Sequence, residues 1–501
     1  MFNRARIRLM HSIEALLKGI DIVKGSSINI PVNTVTADSR HVMPGSMFVA
    51  LEGTSDNGLN YVQDAVNQGA AVILSNGGAK ADDVLTGLKT PTVRVNNIRN
   101  ALSGIAANLH GKPSEKLAVI GITGTNGKTT TGYLLDSIMK SANKNSGLIG
   151  TLGVLGPGLE AHTELTTPDS LELQRTLALF LDGGLTHAVI EVSSHALELE
   201  RVAHVDFDLA IFTNFSQDHI DFHGNMDSYF AAKTKLFSNL SSNKYAILNA
   251  NDPKSAEIKN LTKAKILKYG INVDADVQFK NWGMSIDGIV GTVDLMGEKL
   301  NISSKLIGLY NLQNILAAIT AAKAIEIPSK NIQKGINSLN CIPGRVEQIN
   351  SPNGATIIVD YAHTPDAFIK LFSSLSELLP HGGRLGVVFG CGGNRDKEKR
   401  PLMAIAAETF ANQIFLTPDN PRNEKIDNIN SEIIKGFKKR NFSIYNDRAD
   451  GIRSAIEWTK SGDILAILGK GRENFQITGP KKKHHSDIET VNNFIKEMVT
   501  E

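Results

Sequence analysis

The stretch Leu117-Ala-Val-Ile-Gly-Ile-Thr-Gly-Thr-Asn-Gly-Lys-Thr-Thr-Thr131 decides the fold. Its first half is an apolar run of strand length, and its second half is a glycine-rich turn. Lys128 and Thr129 then open a segment that reads as a helix from Thr130 to Ser141. A strand, a loop of backbone N–H groups and a helix N-terminus together make a cradle for phosphate. Gly124, Thr125, Asn126, Gly127 and Thr130 would form that cradle, with Lys128 reaching the terminal phosphates and the Thr129 hydroxyl ligating Mg²⁺. The spacing departs from the general phosphate-loop pattern. Ile122 stands where the first glycine is expected, and Gly121, Gly124 and Gly127 recur every third residue instead. A plain glycine turn between strand and helix has no need of Gly-Lys-Thr at this place, so the stretch predicts binding of a nucleoside triphosphate.

The whole chain suits such a core. Its 501 residues predict about three domains, and 41% hydrophobic with 21% charged residues is a globular balance. A formal charge of +2 gives no argument for nucleic acid. Two distant cysteines, Cys341 and Cys391, without a Cys-x-x-Cys pair, suit a reducing compartment and no disulfide framework. No apolar run approaches the ~20 residues needed to cross a bilayer. Met1 to Leu17 carries Arg4, Arg6 and Arg8 but lacks the apolar centre of a secretory signal. It reads as an amphipathic first helix, or as a few extra residues before an internal start at Met10. A cytoplasmic monomer that neither inserts into a membrane nor binds nucleic acid is expected.

Residues 1–98 alternate short apolar runs with turns, as a small α/β unit. Asp38-Ser39-Arg40 there reads either as a surface turn or as polar contacts to a ligand. From 99 to 341 the pattern is α/β with parallel-sheet character. His187–Glu191, Asp208–Thr213 and Tyr245–Asn249 are short apolar runs ending in polar residues, and ligands sit beyond the carboxyl ends of such strands. Glu191 is placed to help hold Mg²⁺, directly or through water. The segment from Thr213 to Gly224 is dense in potential ligands, among them Asp218, His219, Asp221 and His223. Zinc is disfavoured by the lack of a second His/Cys cluster. Lys233 shares a helix face with Tyr229, Phe230, Leu236 and Phe237. It either snorkels to water or is a neutral amine able to react. Asn311 and Asn314, a helical turn apart, read as caps or nucleotide contacts. Residues 342–501 form a third, alternating β/α region. Four of its strands end in Asp360-Tyr-Ala-His-Thr-Pro365, Gly390-Cys-Gly-Gly-Asn-Arg-Asp396, Asp419-Asn-Pro-Arg422 and Gly469-Lys-Gly-Arg-Glu473. Such ends converge on one edge of a doubly wound, Rossmann-like sheet.

These motifs, with Thr166-Thr-Pro-Asp169, Glu191-Val-Ser-Ser-His195, Ala232-Lys233, Tyr310-Asn-Leu-Gln-Asn314 and Pro343-Gly-Arg345, occur in an order and spacing that resembles the Mur ligases of bacterial cell-wall synthesis. The resemblance runs along essentially the whole chain and is greatest to the branch that adds the third amino acid. It implies a small α/β N-terminal domain, a central ATP-binding domain with a mostly parallel sheet, and a C-terminal domain for the amino acid. Ser39 and the Thr54-Ser55-Asp56 loop would meet UDP, and Thr166, Thr167, Ser193 and Arg201 the muramoyl-peptide. Asn311 and Arg345 would contact ATP, with Asp360 facing its ribose or base. Lys233 matches the lysine that is carbamylated in the family, where a CO₂-derived carbamate serves a second Mg²⁺ with His219 beside it. The implied reaction joins meso-diaminopimelate to UDP-N-acetylmuramoyl-L-alanyl-D-glutamate through an acyl phosphate, with Lys128, Glu191, His219 and Lys233 at its centre.

Diaminopimelate differs from lysine by a second carboxylate, and a guanidinium grips a carboxylate bidentately. Arg422 would do so, with Arg395 on the other carboxylate and Glu473 on the ammonium; Asp419, Asn420, Pro421 and Gly469 complete that set. Two departures stand out. Arg472 replaces the family's usual histidine and is expected to add positive charge beside the amino-acid pocket. Lys481-Lys-Lys-His-His485 is unusually basic, and Ser486-Asp487-Ile488 only loosely matches the usual acidic motif. The competing readings are the same ligase adding L-lysine, a folylpolyglutamate synthase, and a non-catalytic nucleotide-binding scaffold. The scaffold predicts loss of Lys128, Glu191, His219 or Lys233, and all four are present.

Overall fold

The structure, a computed structural model, describes residues 10–25, 29–53, 56–163 and 165–500. Met1–Leu9, and with them Arg4, Arg6 and Arg8, lie outside the described residues, as do Thr54 and Ser55. Within the described part of residues 1–17 the helix is confined to Ile13–Leu16, capped by the Ser12 side chain, and His11–Ser12 before it is a short strand paired with Pro31–Val32. The described chain falls into two compact units: residues 1–121 with 144–208, and residues 122–143 with 209–501.

In the first unit a five-stranded sheet runs in the order Ile22–Lys24, Thr92–Val95, Val72–Asn76, Ser46–Val49, Thr34–Thr36, and only the first pairing is antiparallel. The strands from Ser46 to Asn76 are buried almost throughout, as parallel strands covered on both faces must be. The helix Ile98–Leu109 begins at Asn97, whose side chain accepts from the N–H groups of Arg99 and Asn100. It packs on Ser170–Asp182, which is capped by Asp169. In the same unit His187–Glu191 pairs in parallel with Ser146–Gly150.

The second unit carries the parallel strands Leu209–Phe212, Tyr245–Asn249 and Lys265–Ile271, then the antiparallel meander Val277–Ser285, Gly288–Leu295 and Glu298–Ser304. The helix Lys128–Ser141 packs on Leu309–Ala324 and Ser329–Ser338. A separate six-stranded sheet runs in the order Glu347–Asn350, Thr356–Asp360, Ile464–Leu468, Leu385–Phe389, Gln413–Leu416, Phe442–Ile444. All its pairings are parallel except the first. The carboxyl ends of the four central strands therefore share one edge, which puts the loops after Asp360, Leu468, Phe389 and Leu416 side by side. Two buried arginines tie this region together. Arg448 binds the carboxylate of Asp487 through Nε at 2.8 Å and Nη2 at 2.7 Å, docking the last helix, Asp487–Thr500. Arg400 meets Glu424 and Glu432. Asp487 thus has an internal partner even where the surrounding motif is loose.

Candidate functional site

In the second unit the phosphate-binding loop is held from below by the segment after Phe212. Thr125 and Asn126 donate their N–H groups to the carbonyl and side-chain oxygens of Asn214, at 2.8 and 2.9 Å. Thr213 and Asn214 return hydrogen bonds to the Asn126 carbonyl at 2.6 and 3.0 Å. Gly124 and Gly127 are required here. Both have positive φ, and a Cβ would lie 1.9 Å from Thr213 Oγ1 at the first and 2.3 Å from Asn314 Oδ1 at the second. Lys128 folds back over the loop, its Nζ 2.9 Å from the carbonyls of both Gly124 and Thr125.

A cavity opens beside this loop, lined by Asn126, Gly127, Thr130, Asn311, Asn314, Arg345 and Asp360, all expected, and by Tyr310, Tyr361, His363 and Lys370, not expected. Arg345 donates to the Thr129 hydroxyl at 3.0 Å while its guanidinium lies over the Tyr361 ring. Asn314 donates to Asn311, which donates to the Ile307 carbonyl, so the amide pair is a fixed chain. The Asp360 carboxylate accepts from the N–H groups of Val346 and Ala362 at 2.8 and 2.7 Å. Burial raises its pKa, and the Arg345 guanidinium works against that rise. Asp366 ties the loop down: Asn126, Ser216 and Lys370 all donate to its Oδ2.

Lys233 is fully buried on the face the helical spacing predicts, with Tyr229, Phe230, Leu236 and Phe237. It does not snorkel. Its Nζ donates to the Gly124 carbonyl at 2.9 Å and lies 4.5 Å from the centre of the Tyr229 ring. Burial, then repulsion by Lys128, drives its pKa well below the ordinary lysine value. Nearby, the Asp218 carboxylate lies 3.3 Å from His219 Nε2. Burial opposes its ionisation, but His219, His363 and Lys399 outweigh burial and hold it below the usual range.

A second cavity lies over the shared strand edge. Arg395, Asp419, Asn420, Arg422, Gly469 and Glu473, six of the seven residues expected for the amino acid, line it together with Asp218, His219, Tyr361, His363 and Lys399. Pro421 is not among them, and its carbonyl packs on Gly393, where a Cβ would come within 1.9 Å. Arg422 has φ +51° and is held by its own backbone: its N–H donates to the Ile477 carbonyl at 3.0 Å, and its Nη1 to the Gly393 carbonyl at 2.9 Å. Burial and the neighbouring Arg395 disfavour its charge, which Asp419 and Glu473 support. Two guanidinium groups that repel across one cavity favour an anionic guest. Lys470, which sequence reasoning left out of the site, lies beneath it fully buried, 3.2 Å from both Glu473 Oε2 and Asn420 Oδ1 and 3.7 Å from Asp419 Oδ1. Its place inside Gly-Lys-Gly-Arg-Glu was the signal available for it.

The expectation for Arg472 is overturned. Its side chain turns away from the cavity and makes two bonds to Glu347, at 3.1 and 2.9 Å, because Glu347 is held there by the Gly344 N–H. The charge is neutralised where it stands.

In the first unit Thr167, Ser193, Arg201 and Glu191 come together. The Thr167 hydroxyl donates to the Glu191 carbonyl at 2.8 Å, Ser193 N–H donates to that hydroxyl at 3.0 Å, and Arg201 donates to the Thr167 carbonyl at 3.0 Å. The Glu191 carboxylate accepts from the N–H and hydroxyl of Thr151, whose hydroxyl lies 3.2 Å from that of Thr166. Ser39 opens a short 3-10 turn capped by Asp38, and Arg40 holds the Asp38 carboxyl down to about 2. Asp56 accepts hydrogen bonds from Asn57, Asn60 and Tyr61.

Comparison with known proteins agrees with this layout. Residues 31–110 match the Mur ligase family, catalytic domain, residues 122–322 the Mur ligase middle domain, and residues 344–471 the Mur ligase glutamate ligase domain. The chain is 40% identical over 452 residues to a UDP-N-acetylmuramoyl-L-alanyl-D-glutamate--2,6-diaminopimelate ligase of Halalkalibacterium halodurans, covering 89% of this chain and 91% of that one. It is 36% identical over 497 residues to the protein of the same name from Bacillus cereus, covering 98% of each. A solved structure of a ligase of that name superposes with a TM-score of 0.69 at 29% identity, over 98% of this chain and 100% of that one. A folylpolyglutamate synthase of Mycobacterium tuberculosis shares the fold alone, at 17% identity and a TM-score of 0.63 over 74% of this chain and 92% of that one. Fold, motifs and full-length relatives agree: the chain belongs to the Mur ligase family.

Proposed function

We propose that this chain is an ATP-dependent ligase that joins meso-diaminopimelate to UDP-N-acetylmuramoyl-L-alanyl-D-glutamate, releasing ADP and phosphate, in cytoplasmic synthesis of peptidoglycan precursors. The observation that carries the reading is the cavity in which Arg395 and Arg422 face Asp419 and Glu473. A guest with two carboxylates and two ammonium groups answers each of those charges. L-Lysine, the second reading, would leave one guanidinium unanswered in a half-buried place. The relatives' names support the same choice.

A peptide carboxylate is a poor electrophile. Its oxygen attacks the γ-phosphate, giving an acyl phosphate and ADP; the incoming amine then attacks the acyl carbon and phosphate leaves. Gly124, Thr125, Asn126, Gly127, Lys128 and Thr130 cradle the phosphates, and Lys128 moves from the loop carbonyls onto the charge it neutralises. Asn311, Arg345 and Asp360 bind the rest of the nucleotide. Thr166, Thr167, Ser193 and Arg201 hold the muramoyl-peptide, and Ser39 and Asp56, with Thr54 and Ser55, meet the uridine diphosphate. Arg395, Asp419, Asn420, Arg422, Gly469 and Glu473 form the diaminopimelate pocket, with Pro421 in the loop that carries Asn420 and Arg422.

Magnesium fits the residues present. In the second unit Thr129, His219 and a carbamate on Lys233, and in the first unit Glu191, are oxygen and nitrogen donors. Such an ion is bound through a few protein oxygens and substrate phosphates. When bound, two such ions would offset the negative charge crowded on the transferred phosphoryl group. The surroundings of Lys233 favour the neutral amine that CO₂ requires. We assign domains to 1–98, 99–341 and 342–501. Among the described residues no helix is long and apolar enough to cross a membrane, and we take the active form to be a monomer.

The deciding experiment follows phosphate release with UDP-N-acetylmuramoyl-L-alanyl-D-glutamate, Mg-ATP and either amino acid. Release with diaminopimelate alone is expected. Release with lysine alone would keep the ligase and overturn the arginine argument, while silence with both, from folded protein that binds ATP, would favour the scaffold.

A further inference from the structure

The two cavities of the second unit have two lining residues in common, Tyr361 and His363. If the first holds ATP and the second the amino acid, the reacting phosphoryl group and the reacting amine meet at this shared wall. His363 is built for one orientation there. Its Nδ1 lies 2.8 Å from the Tyr361 carbonyl, and a carbonyl only accepts, so Nδ1 carries the proton and Nε2 bears the lone pair. The ring stands edge-on to Tyr361, with centres 4.9 Å apart, and the Tyr361 ring is in turn covered by the Arg345 guanidinium.

The incoming amino acid arrives as an ammonium, which has no lone pair and cannot attack a carbonyl. Something in the cavity must take its proton. Carboxylates are present, but three face cations or donors: Asp218 faces His219, and Asp419 and Glu473 face Lys470. A carboxylate is in general a far weaker base than an amine, and a general base works best when its strength matches the working pH.

We propose that His363 Nε2 is the general base of the second half-reaction, accepting the proton of the ammonium that attacks the acyl phosphate. This rests on the ligase reading above. The ammonium gives one proton to Nε2 and becomes an amine with a free electron pair. That pair forms the C–N bond, the bond from acyl carbon to phosphate oxygen breaks, and phosphate leaves with its electrons. The second nitrogen proton leaves with the departing phosphate, and the imidazolium returns its own to water. The charged groups around His363 suit the task. Burial and Lys399 keep the free imidazole neutral, Arg345 adds to that, and Asp218 supports the imidazolium once it forms.

His363→Asn and His363→Gln test this in the full-length enzyme, with UDP-N-acetylmuramoyl-L-alanyl-D-glutamate, Mg-ATP and one of two nucleophiles. With diaminopimelate, kcat at neutral pH should fall about 10²-fold or more. Hydroxylamine is uncharged at neutral pH and needs no base, so hydroxamate formation should stay within about threefold of wild type. That retained reaction also shows that each variant folds and makes the acyl phosphate. The residual amide rate of the variants should climb with pH as free amine accumulates. Equal loss of amide and hydroxamate would overturn the proposal and move His363 to the phosphoryl-transfer step. Amide formation near wild-type rate would overturn it outright. Wild-type enzyme forming neither product would overturn the ligase reading and this proposal with it, so the control distinguishes the two failures.

Discussion

Lys233 and Lys470 are equally hidden, at 1% and 0% exposure, and their surroundings are opposite. Lys470 lies among carboxylates, 3.2 Å from Glu473 and 3.7 Å from Asp419, with the Asn420 amide oxygen completing the shell. Lys233 has a carbonyl oxygen, an aromatic face and two charged neighbours, Lys128, which works against its proton, and Asp218, whose weaker pull does not offset burial and that repulsion. Burial alone does not decide what an amine becomes. Carboxylates packed against an amine give it anions to organise; where burial and a neighbouring cation act together, as at Lys233, the proton is disfavoured. One lysine is thereby made part of a scaffold, and the other is made reactive.

The comparison breaks most visibly at Lys233. As part of the proposed mechanism, Lys233→Ala should lower turnover by about 10³-fold or more, with partial rescue by added short-chain carboxylates. Near wild-type turnover would remove the carbamate role. Stability should move the other way. The folded pKa lies below the unfolded value of 10.5, so between the two the unfolded chain binds a proton that the folded chain does not. Stability therefore rises with pH across that window. Lys233→Met should flatten the rise and should be no less stable than wild type at pH 7 in bicarbonate-free buffer, read from urea midpoints at several pH values.

Lys470→Met should do the reverse. Removing one partner from a buried charge cluster leaves Asp419 and Glu473 without the ammonium packed between them, at a cost of about 3–5 kcal/mol. Urea unfolding would measure it, and the KM for diaminopimelate should rise because Asn420 and Glu473 lose their common anchor. A Lys470→Met protein as stable as wild type would show that the cluster is wet, and the contrast with Lys233 would fail. Arg422→Lys is milder. It keeps a charge but loses the planar fork, so kcat/KM for diaminopimelate should fall by about 10–10²-fold, or about 1.4–2.8 kcal/mol, with ATP affinity unchanged.

Local sequence made some of this contrast readable. Helical spacing placed Lys233 among Tyr229, Phe230, Leu236 and Phe237, and the strands His187–Glu191, Tyr245–Asn249, Thr356–Asp360 and Leu385–Phe389 begin and end where the apolar runs do. What stayed hidden depends on pairing at a distance. Lys470 looked like one more polar residue of a glycine-rich loop, because the carboxylate and amide of Asp419 and Asn420 come from a strand end fifty residues away. The meander after Val277 also went unread, though Asp287-Gly288 and Met296-Gly297 mark its two turns, with positive φ at Gly288, Met296 and Gly297. His363 was visible only as a letter in a motif. Its place in the wall between two cavities is a property of the sheet order, which sets Ile464–Leu468 beside Thr356–Asp360.

Arg472 supplies the weakest arm of the comparison. Like Lys470 it meets a carboxylate, and its fork is better formed, with two bonds to Glu347. But the arginine side chain is 47% exposed, and water competes for its guanidinium. Surface pairs of this kind contribute about 0–1 kcal/mol. Arg472→His should accordingly change stability by less than about 1 kcal/mol, and the difference should shrink in high salt. The KM for diaminopimelate should stay within about threefold of wild type, since the side chain points out of the amino-acid cavity. A larger shift would mean that the loop carrying Glu473 depends on the Glu347 contact for its position. The same variant thus asks whether a carboxylate partner matters in itself or only once water is excluded, and the exposure of Arg472 argues for the second.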